Sequence, residues 1–371
     1  MSWSVVGRKM RCLRLPYQLW RVTPVRSVSV GIMVVVFLLC LATLALRQKG
    51  TDVFSEVVDP RLADFDGSSF RKALLETGPD RPKAGQANDA SVKKEPSVNK
   101  TSKLPGCIIV GARKCGTRAL IEFLALHPDV AAARKEIHFF SNDTNYAKGL
   151  KWYRSLMPRS KPGQLTMEKT PRYFVSPAAP TRIHRMNSSV RIVIALRHPV
   201  TRLVSDYTQL CYNNVARGLA PPGNFTQLVL DERTGAVNSD YTPVLVSTYD
   251  LHVARWLAVF PRRQIHFVDG DRLITQPLQE SRRLEAFLGL PPRFTEDSFY
   301  FNASRGFYCM KRIVTVKGSG ERFAHTEKCL GAGKGRKHQP IEQSVLKKLN
   351  DYFQHHNEIL FKMIGQRFDW R

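Results

Sequence analysis

Residues 107–120, CIIVGARKCGTRAL, pass from an apolar run through a glycine-bearing loop with one lysine into a helix-like run. That order can hold a phosphate-like anion. Gly111 ends the apolar run, Gly116 lets the backbone pass close to the anion, and a helix starting near Thr117 offers unpaired N–H groups. Lys114 and Arg118 add charge, and the Thr117 hydroxyl adds a donor. This is not a Walker loop, because Gly116 is followed directly by Thr117 and the lysine stands at position 114. A plain glycine turn with solvated cations fits the loop alone equally well. A second segment, RIVIALRHPVTRLVSDY, shifts the balance: another apolar run ends at Arg197, Pro199 starts a helix, and Ser205 follows about two turns in. Arg197 and Ser205 could meet over a second phosphate, with the basic stretch GKGRKH (333–338) closing over it. The bland alternative for Ser205 is a helix serine facing its own backbone. Two separated anion sites and a basic lid suggest a nucleotide with phosphates at both ends.

The elements that must position these residues read as alternating strands and helices. The strand-like runs are CIIVG (107–111), RIVIAL (191–196) and IHFVDG (265–270); the helix-like ones are TRALIEFLALH (117–127), VTRLVSDYTQL (200–210) and ESRRLEAFLGL (280–290). Buried strands separated by amphipathic helices predict an α/β fold with a central parallel sheet flanked by helices, whose ligands sit at the carboxyl ends of the strands. There is no Cys/His spacing for zinc and no Gly-x-Ser-x-Gly nucleophile elbow.

The 57 Lys+Arg against 31 Asp+Glu give a formal charge of +26, which predicts a polyanionic partner: nucleic acid, anionic lipid or acidic polysaccharide. Compartment separates these. Residues 28–46 carry no charge and are long enough to span a bilayer, and six cations with no acid precede them (Arg8, Lys9, Arg11, Arg14, Arg21, Arg26). The expected organisation is a cytosolic tail (1–27), a signal anchor (28–46), a flexible stem (47–104) rich in Asp, Lys, Ser, Pro and Gly, and a lumenal domain (105–371). A cleaved signal peptide competes with the anchor, but Arg47 and Lys49 stand where small residues should. A lumenal domain disfavours nucleic acid as partner and makes the sequons at Asn99, Asn142, Asn187, Asn224 and Asn302 usable. It also places five of the seven cysteines in an oxidising space, where Cys309 and Cys329 bracket a polar stretch and are the expected disulfide, closing a surface loop.

The ordered set GARKCGTRAL, EIHFF, MEKTPRYF, ALRHPVTRLVSDYTQ, VDGDRLI, FYFNASRGFYC and KGRKH closely resembles the heparan sulfate glucosamine 3-O-sulfotransferases, and the likeness covers essentially all of residues 105–371. The resemblance implies a sulfotransferase α/β fold related to nucleotide kinases, a Golgi membrane location as a single-pass type II protein, and 3′-phosphoadenosine 5′-phosphosulfate as sulfate donor. Lys114, Cys115, Gly116, Thr117 and Arg118 would then surround the 5′-phosphosulfate, and Arg197 and Ser205 would hold the 3′-phosphate. Lys334, Gly335, Arg336, Lys337, His338 and Tyr308 are implied as further donor contacts. No metal is expected, since a transferring sulfuryl group carries less negative charge than a phosphoryl group and lysines can stabilise it. The family match makes Glu136 the general base, with Lys114, His138 and Lys169 as its catalytic companions. If RKEIHFF is a strand, Glu136 and His138 share a face. Arg134, Lys135, Thr170, Pro171, Arg172, Arg255, Trp256 and Arg336 are the expected acceptor-side residues; Arg172, Arg255 and Trp256 would form groove walls, although Trp256 in LHVARWLAVF is equally placed for a helix core.

Four residues depart from the family's usual pattern: Cys115 replaces a glycine, Ser141 the aspartate of His-Phe-Phe-Asp, His198 an acid, and Gln339 interrupts a His-Pro. Ser141 removes a carboxylate nearest the acceptor, and Asp143 stands at a different offset. The alternative these departures motivate is a non-catalytic heparan-sulfate-binding membrane protein with a degenerate site. A nucleotide kinase, suggested by the loop alone, is disfavoured by the position of Lys114.

Overall fold

A computed structural model describes residues 99–316, 322–331, 336 and 338–370. The tail, the anchor at 28–46, nearly all of the stem, and Lys334, Gly335 and Lys337 lie outside the described residues. Among the described residues no helix is long and apolar enough to cross a membrane.

Five strands form one parallel sheet: β1 (Cys107–Gly111), β2 (Val130–Ala132), β3 (Leu165–Lys169), β4 (Arg191–Leu196) and β5 (Ile265–Asp269), in the order β2-β3-β1-β4-β5. Continuous apolar runs such as CIIVG and RIVIAL suit this position, because helices cover both faces and alternation with polar residues would bury charge. All five residues of β1 are buried. The chain leaves β1 toward β2 and β3 on one side and later adds β4 and β5 on the other, so a crevice opens at the carboxyl end of β1.

The helices that matter are α1 (Thr117–Leu124), α2 (Pro199–Ala216), α3 (Tyr249–Leu257), α4 (Gly270–Thr275), α5 (Pro277–Leu288) and α6 (Gln343–Ile364). Pro199 at the first position of α2 loses no intrahelical bond there, and the helix is capped by His198 Nδ1 accepting from the Thr201 N–H at 3.4 Å. Beneath α2, Leu203, Val244, Leu349 and Phe353 join it to α6 in a second small core.

A three-stranded antiparallel sheet follows: β6 (Phe299–Asn302), β7 (Phe307–Val316) and β8 (Arg322–Lys328), ordered β8-β7-β6. The Cys309–Cys329 disulfide forms as expected, but it does not close a surface loop. It cross-links the base of a hairpin whose last paired residues are Met310 and Lys328. Interstrand pairing supplies the backbone partners there, so polar composition did not reveal the strands. At the other end, Thr101–Ser102 pairs antiparallel with Arg159–Ser160, so regular structure begins just before Pro105.

Candidate active site

The loop after β1 is built around close backbone approach. A Cβ at Gly111 would stand 2.3 Å from the Phe174 Cβ, so no larger residue fits without displacement. The Ala112 N–H donates to the Ala195 carbonyl at 2.7 Å, which ties the loop to β4. Lys114 and Gly116 then take left-handed φ values of 71° and 83°, and no side chain caps α1. An uncapped helix start facing a tight glycine turn can receive an anion. Cys115 accounts for its own departure from glycine: it is buried, with Sγ 3.6 Å from the Tyr249 hydroxyl, and burial pushes its thiol up to about 11. It is a small neutral filler, and it could meet a donor only through its backbone.

Arg197 follows β4 directly and pairs with Asp271 of α4 through Nε at 3.0 Å and Nη2 at 2.8 Å; the other Asp271 oxygen accepts the His198 N–H at 2.8 Å. Ser205 is half-buried on α2. His338 lies within electrostatic reach of Lys114 in the anion loop and Arg197 after β4: partial burial above all, then Arg197 and Lys114, push its imidazole below the ordinary range. The structure thus brings Lys114, Arg197 and His338 together. Tyr308 is half-buried and packs edge-on to Phe301 at 5.4 Å.

Sequence reasoning passed over Gln209. Its Oε1 accepts from Lys114 Nζ at 3.3 Å and from Arg336 Nη1 at 2.7 Å, while its Nε2 donates to Asn213 at 2.6 Å. Four residues after Ser205, it lies on the same face of α2, a spacing that could have marked it. Glu122 was also missed. This buried carboxylate gathers Arg118 at 2.9 Å, Arg134 at 3.6 Å and Lys328 at 3.0 Å. Burial pushes its carboxyl up, but those three cations outweigh it and hold the group low. Arg118 also donates to the Arg134 carbonyl at 2.9 Å, which joins the anion loop to the segment that carries Glu136.

The segment that carries Glu136 is not a strand. Residues 133–138 form an irregular stretch after β2, and His138 takes a left-handed φ of 55°, a conformation that costs a non-glycine residue energy. The strand expectation for RKEIHFF is therefore corrected. Its backbone bonds go to the turn after β3: the Ile137 N–H donates to Thr170 Oγ1 at 3.1 Å and the Phe139 N–H to the Tyr173 hydroxyl at 3.0 Å. Thr170, fully buried, donates in turn to Glu168 at 2.9 Å, and Pro171 opens the short 3-10 turn that carries Tyr173.

Tertiary contacts nevertheless bring Glu136 and His138 together, with Oε2 to Nε2 at 3.7 Å, and Lys169 Nζ closes on Glu136 Oε1 from the end of β3. Lys169 is 2% exposed, while the Glu136 side chain is 40% exposed, so a buried cation holds a carboxylate that solvent or a ligand can reach. Lys169 sits opposite Ile109 of β1, one strand away from the anion loop. Burial lowers the His138 pKa, Glu136 opposes that, and Arg172 and Lys169 reinforce it, so exposed Arg172 lies within electrostatic reach of His138. Arg134 and Lys135 are exposed on the approach to Glu136.

Trp256 is corrected. It is fully buried, donates from Nε1 to the Phe174 carbonyl at 3.1 Å and stacks on Phe260, so it packs the core and forms no groove wall. Arg255 beside it is half-buried against His252 and the Val175 carbonyl. Ser141 Oγ is buried without a hydrogen-bond partner, and Asp143 is committed to an ion pair with Arg182 at 2.5 Å. Among the described residues no cluster of His, Cys, Asp or Glu could hold a metal.

Residues 104–364 match the family described as "Sulfotransferase domain". Over 268 residues the chain is 46% identical to heparan sulfate glucosamine 3-O-sulfotransferase 5 of Mus musculus, covering 72% of this chain and 74% of that relative. Against heparan sulfate glucosamine 3-O-sulfotransferase 3A1 of Homo sapiens it is 38% identical over 327 residues, covering 88% of this chain and 74% of the relative. A sulfotransferase crystal structure from Alicyclobacillus acidocaldarius superimposes with a TM-score of 0.53 at 22% identity, over 72% of this chain and 99% of that one, which bears on the fold alone. With relatives of this similarity aligned along most of the domain that carries the anion loop and Glu136, the chain belongs to the heparan sulfate glucosamine 3-O-sulfotransferases and is an enzyme of that family.

Proposed function

We propose that this enzyme transfers the sulfuryl group of 3′-phosphoadenosine 5′-phosphosulfate to the 3-hydroxyl of glucosamine in heparan sulfate, with Glu136 as general base. The observation that carries this reading is the exposed Glu136 carboxylate, held by buried Lys169 one strand from the anion loop. Lys114, Gly116, Thr117 and Arg118 receive the phosphosulfate end of the donor, and Arg197 and Ser205 the 3′-phosphate. Glu136 takes the hydroxyl proton as the sugar oxygen bonds to sulfur and the sulfur–phosphate oxygen bond breaks, releasing 3′-phosphoadenosine 5′-phosphate. His138 and Lys169 orient the carboxylate, and Lys114 offsets charge building on the departing oxygen. The exposed cations Arg134, Lys135 and Arg172 meet sulfates and carboxylates of the acceptor chain. A Golgi membrane setting, through the apolar run at 28–46, supplies both substrates and fits the strongly basic composition.

Incubating the full-length protein with labelled donor and heparan sulfate, then mapping the product disaccharides, tests the reading. Label on the glucosamine 3-oxygen is expected. A folded protein that binds the donor product and heparan sulfate but transfers no label would overturn it in favour of a binding protein with a degenerate site.

A further inference from the structure

The side chains on one face of α2 show how the acceptor-side cation Arg336 is seated. Ser205, Gln209 and Tyr212 follow at intervals of four and three residues, so they lie on one face of the helix. Gln209 accepts from Arg336, and its amide is oriented by the donor bond to Asn213, which leaves the carbonyl oxygen for the cations. The Arg336 guanidinium carbon lies 4.0 Å from the centre of the Tyr212 ring, so the cation sits over the π face. Tyr212 is 55% exposed, so the ring and the guanidinium on it stay open to a ligand from solvent. Among the described residues no carboxylate stands within ion-pair distance of Arg336, in contrast to Arg197 on Asp271 and Arg118 on Glu122. An amide oxygen and an aromatic face fix the guanidinium without neutralising it.

We infer that Tyr212 is a positioning residue that presents Arg336, still fully charged, to an anionic substituent of the acceptor polysaccharide. This rests on the proposed acceptor being a sulfated or carboxylated chain. A carboxylate at position 212 would hold Arg336 as firmly but would compete with the acceptor's own anions. An aromatic ring does not compete, because its attraction for the cation is weaker than that of a sulfate. Tyr212 would touch the reaction only through Arg336, so its effect belongs in acceptor affinity rather than in the chemical step.

The test uses the full-length enzyme and heparan sulfate as acceptor, with Tyr212→Leu, Tyr212→Phe, Arg336→Ala and the Tyr212→Leu/Arg336→Ala double variant. Tyr212→Leu should raise the acceptor KM about two- to fivefold, the range of an exposed cation–π contact, with kcat and affinity for 3′-phosphoadenosine 5′-phosphate unchanged. Tyr212→Phe, which keeps the π face, should stay near the parent value. In the Arg336→Ala background Tyr212→Leu should have no further effect, because there is no guanidinium left to seat. An equal KM rise in that background would overturn the inference, as would a Phe variant as impaired as Leu, or a parallel loss of affinity for the donor product. Direct titration of the four variants with heparan sulfate reads the same affinities without turnover. Absence of transfer by the parent enzyme would therefore refute the proposed function, while the titrations would still decide whether Tyr212 seats Arg336.

Discussion

Replacing Glu136 by Gln separates chemistry from structure. The amide keeps the size of the side chain and can still accept from Lys169, but it has no basic oxygen to take the acceptor proton. Loss of a positioned general base lowers turnover by about a hundredfold or more, equivalent to roughly 2.7 kcal/mol on the barrier. The structural cost is smaller. Lys169 is almost fully buried and keeps a hydrogen bond but loses the opposite charge, about 1 kcal/mol for a pair whose carboxylate is 40% exposed and so screened by solvent. For a domain of this size that corresponds to a fall of about 2–4 °C in Tm. The anion loop is one strand away, so affinity for 3′-phosphoadenosine 5′-phosphate should match the parent. Single-turnover transfer, calorimetric titration with the donor product and a thermal melt on one preparation make the comparison. Transfer within tenfold of the parent would refute the assignment, because the proton would then be leaving by another route. A loss of donor affinity equal to the loss of rate would refute the separation of the two half-sites.

Trp256→Ala should destabilise the protein by about 3–5 kcal/mol, since it empties a fully buried site and leaves the Phe174 carbonyl without its indole donor; chemical denaturation measures this, and a stable variant with only a raised acceptor KM would restore the groove-wall reading. Ser141→Asp should increase acceptor turnover with little change in donor affinity, because it returns a carboxylate where a buried Oγ now has no partner; unchanged or reduced turnover would mean that the serine belongs to an adapted acceptor site. Burial pushes His252 and His266 down to about 4, so both are neutral in the folded protein and protonate more readily when unfolded. Their stabilisation is present above the ordinary histidine range and is lost as pH falls from about 6.5 to 4, at up to about 1.4 kcal/mol per pH unit for each. Urea unfolding across that window should show the decline, and His266→Phe should make it about half as steep; a pH-independent midpoint would contradict the burial argument.

The sequence by itself determined the elements whose signal is local. Uninterrupted apolar runs marked β1, β4 and β5, because a parallel sheet buried on both faces tolerates no alternation. Glycines at 111 and 116 marked the loop, because only glycine accepts the close approach to Phe174 and is at ease at a φ of 83°. The Cys309–Cys329 pair was legible from two cysteines flanking a polar stretch, although the hairpin between them was not, because its strands are defined by each other's hydrogen bonds. Only the tertiary structure decided what depends on contacts between distant residues. Glu136 and His138 meet through a left-handed turn rather than along a strand, and Lys169 reaches them from 33 residues away. Trp256 reads equally as wall or core until Phe174 and Phe260 close around it. Gln209 acquires its place only when Lys114, 95 residues before it, and Arg336, 127 residues after it, converge on one carbonyl oxygen. Periodicity records which face of a helix is buried, but it carries no record of which distant side chain arrives on the face left open.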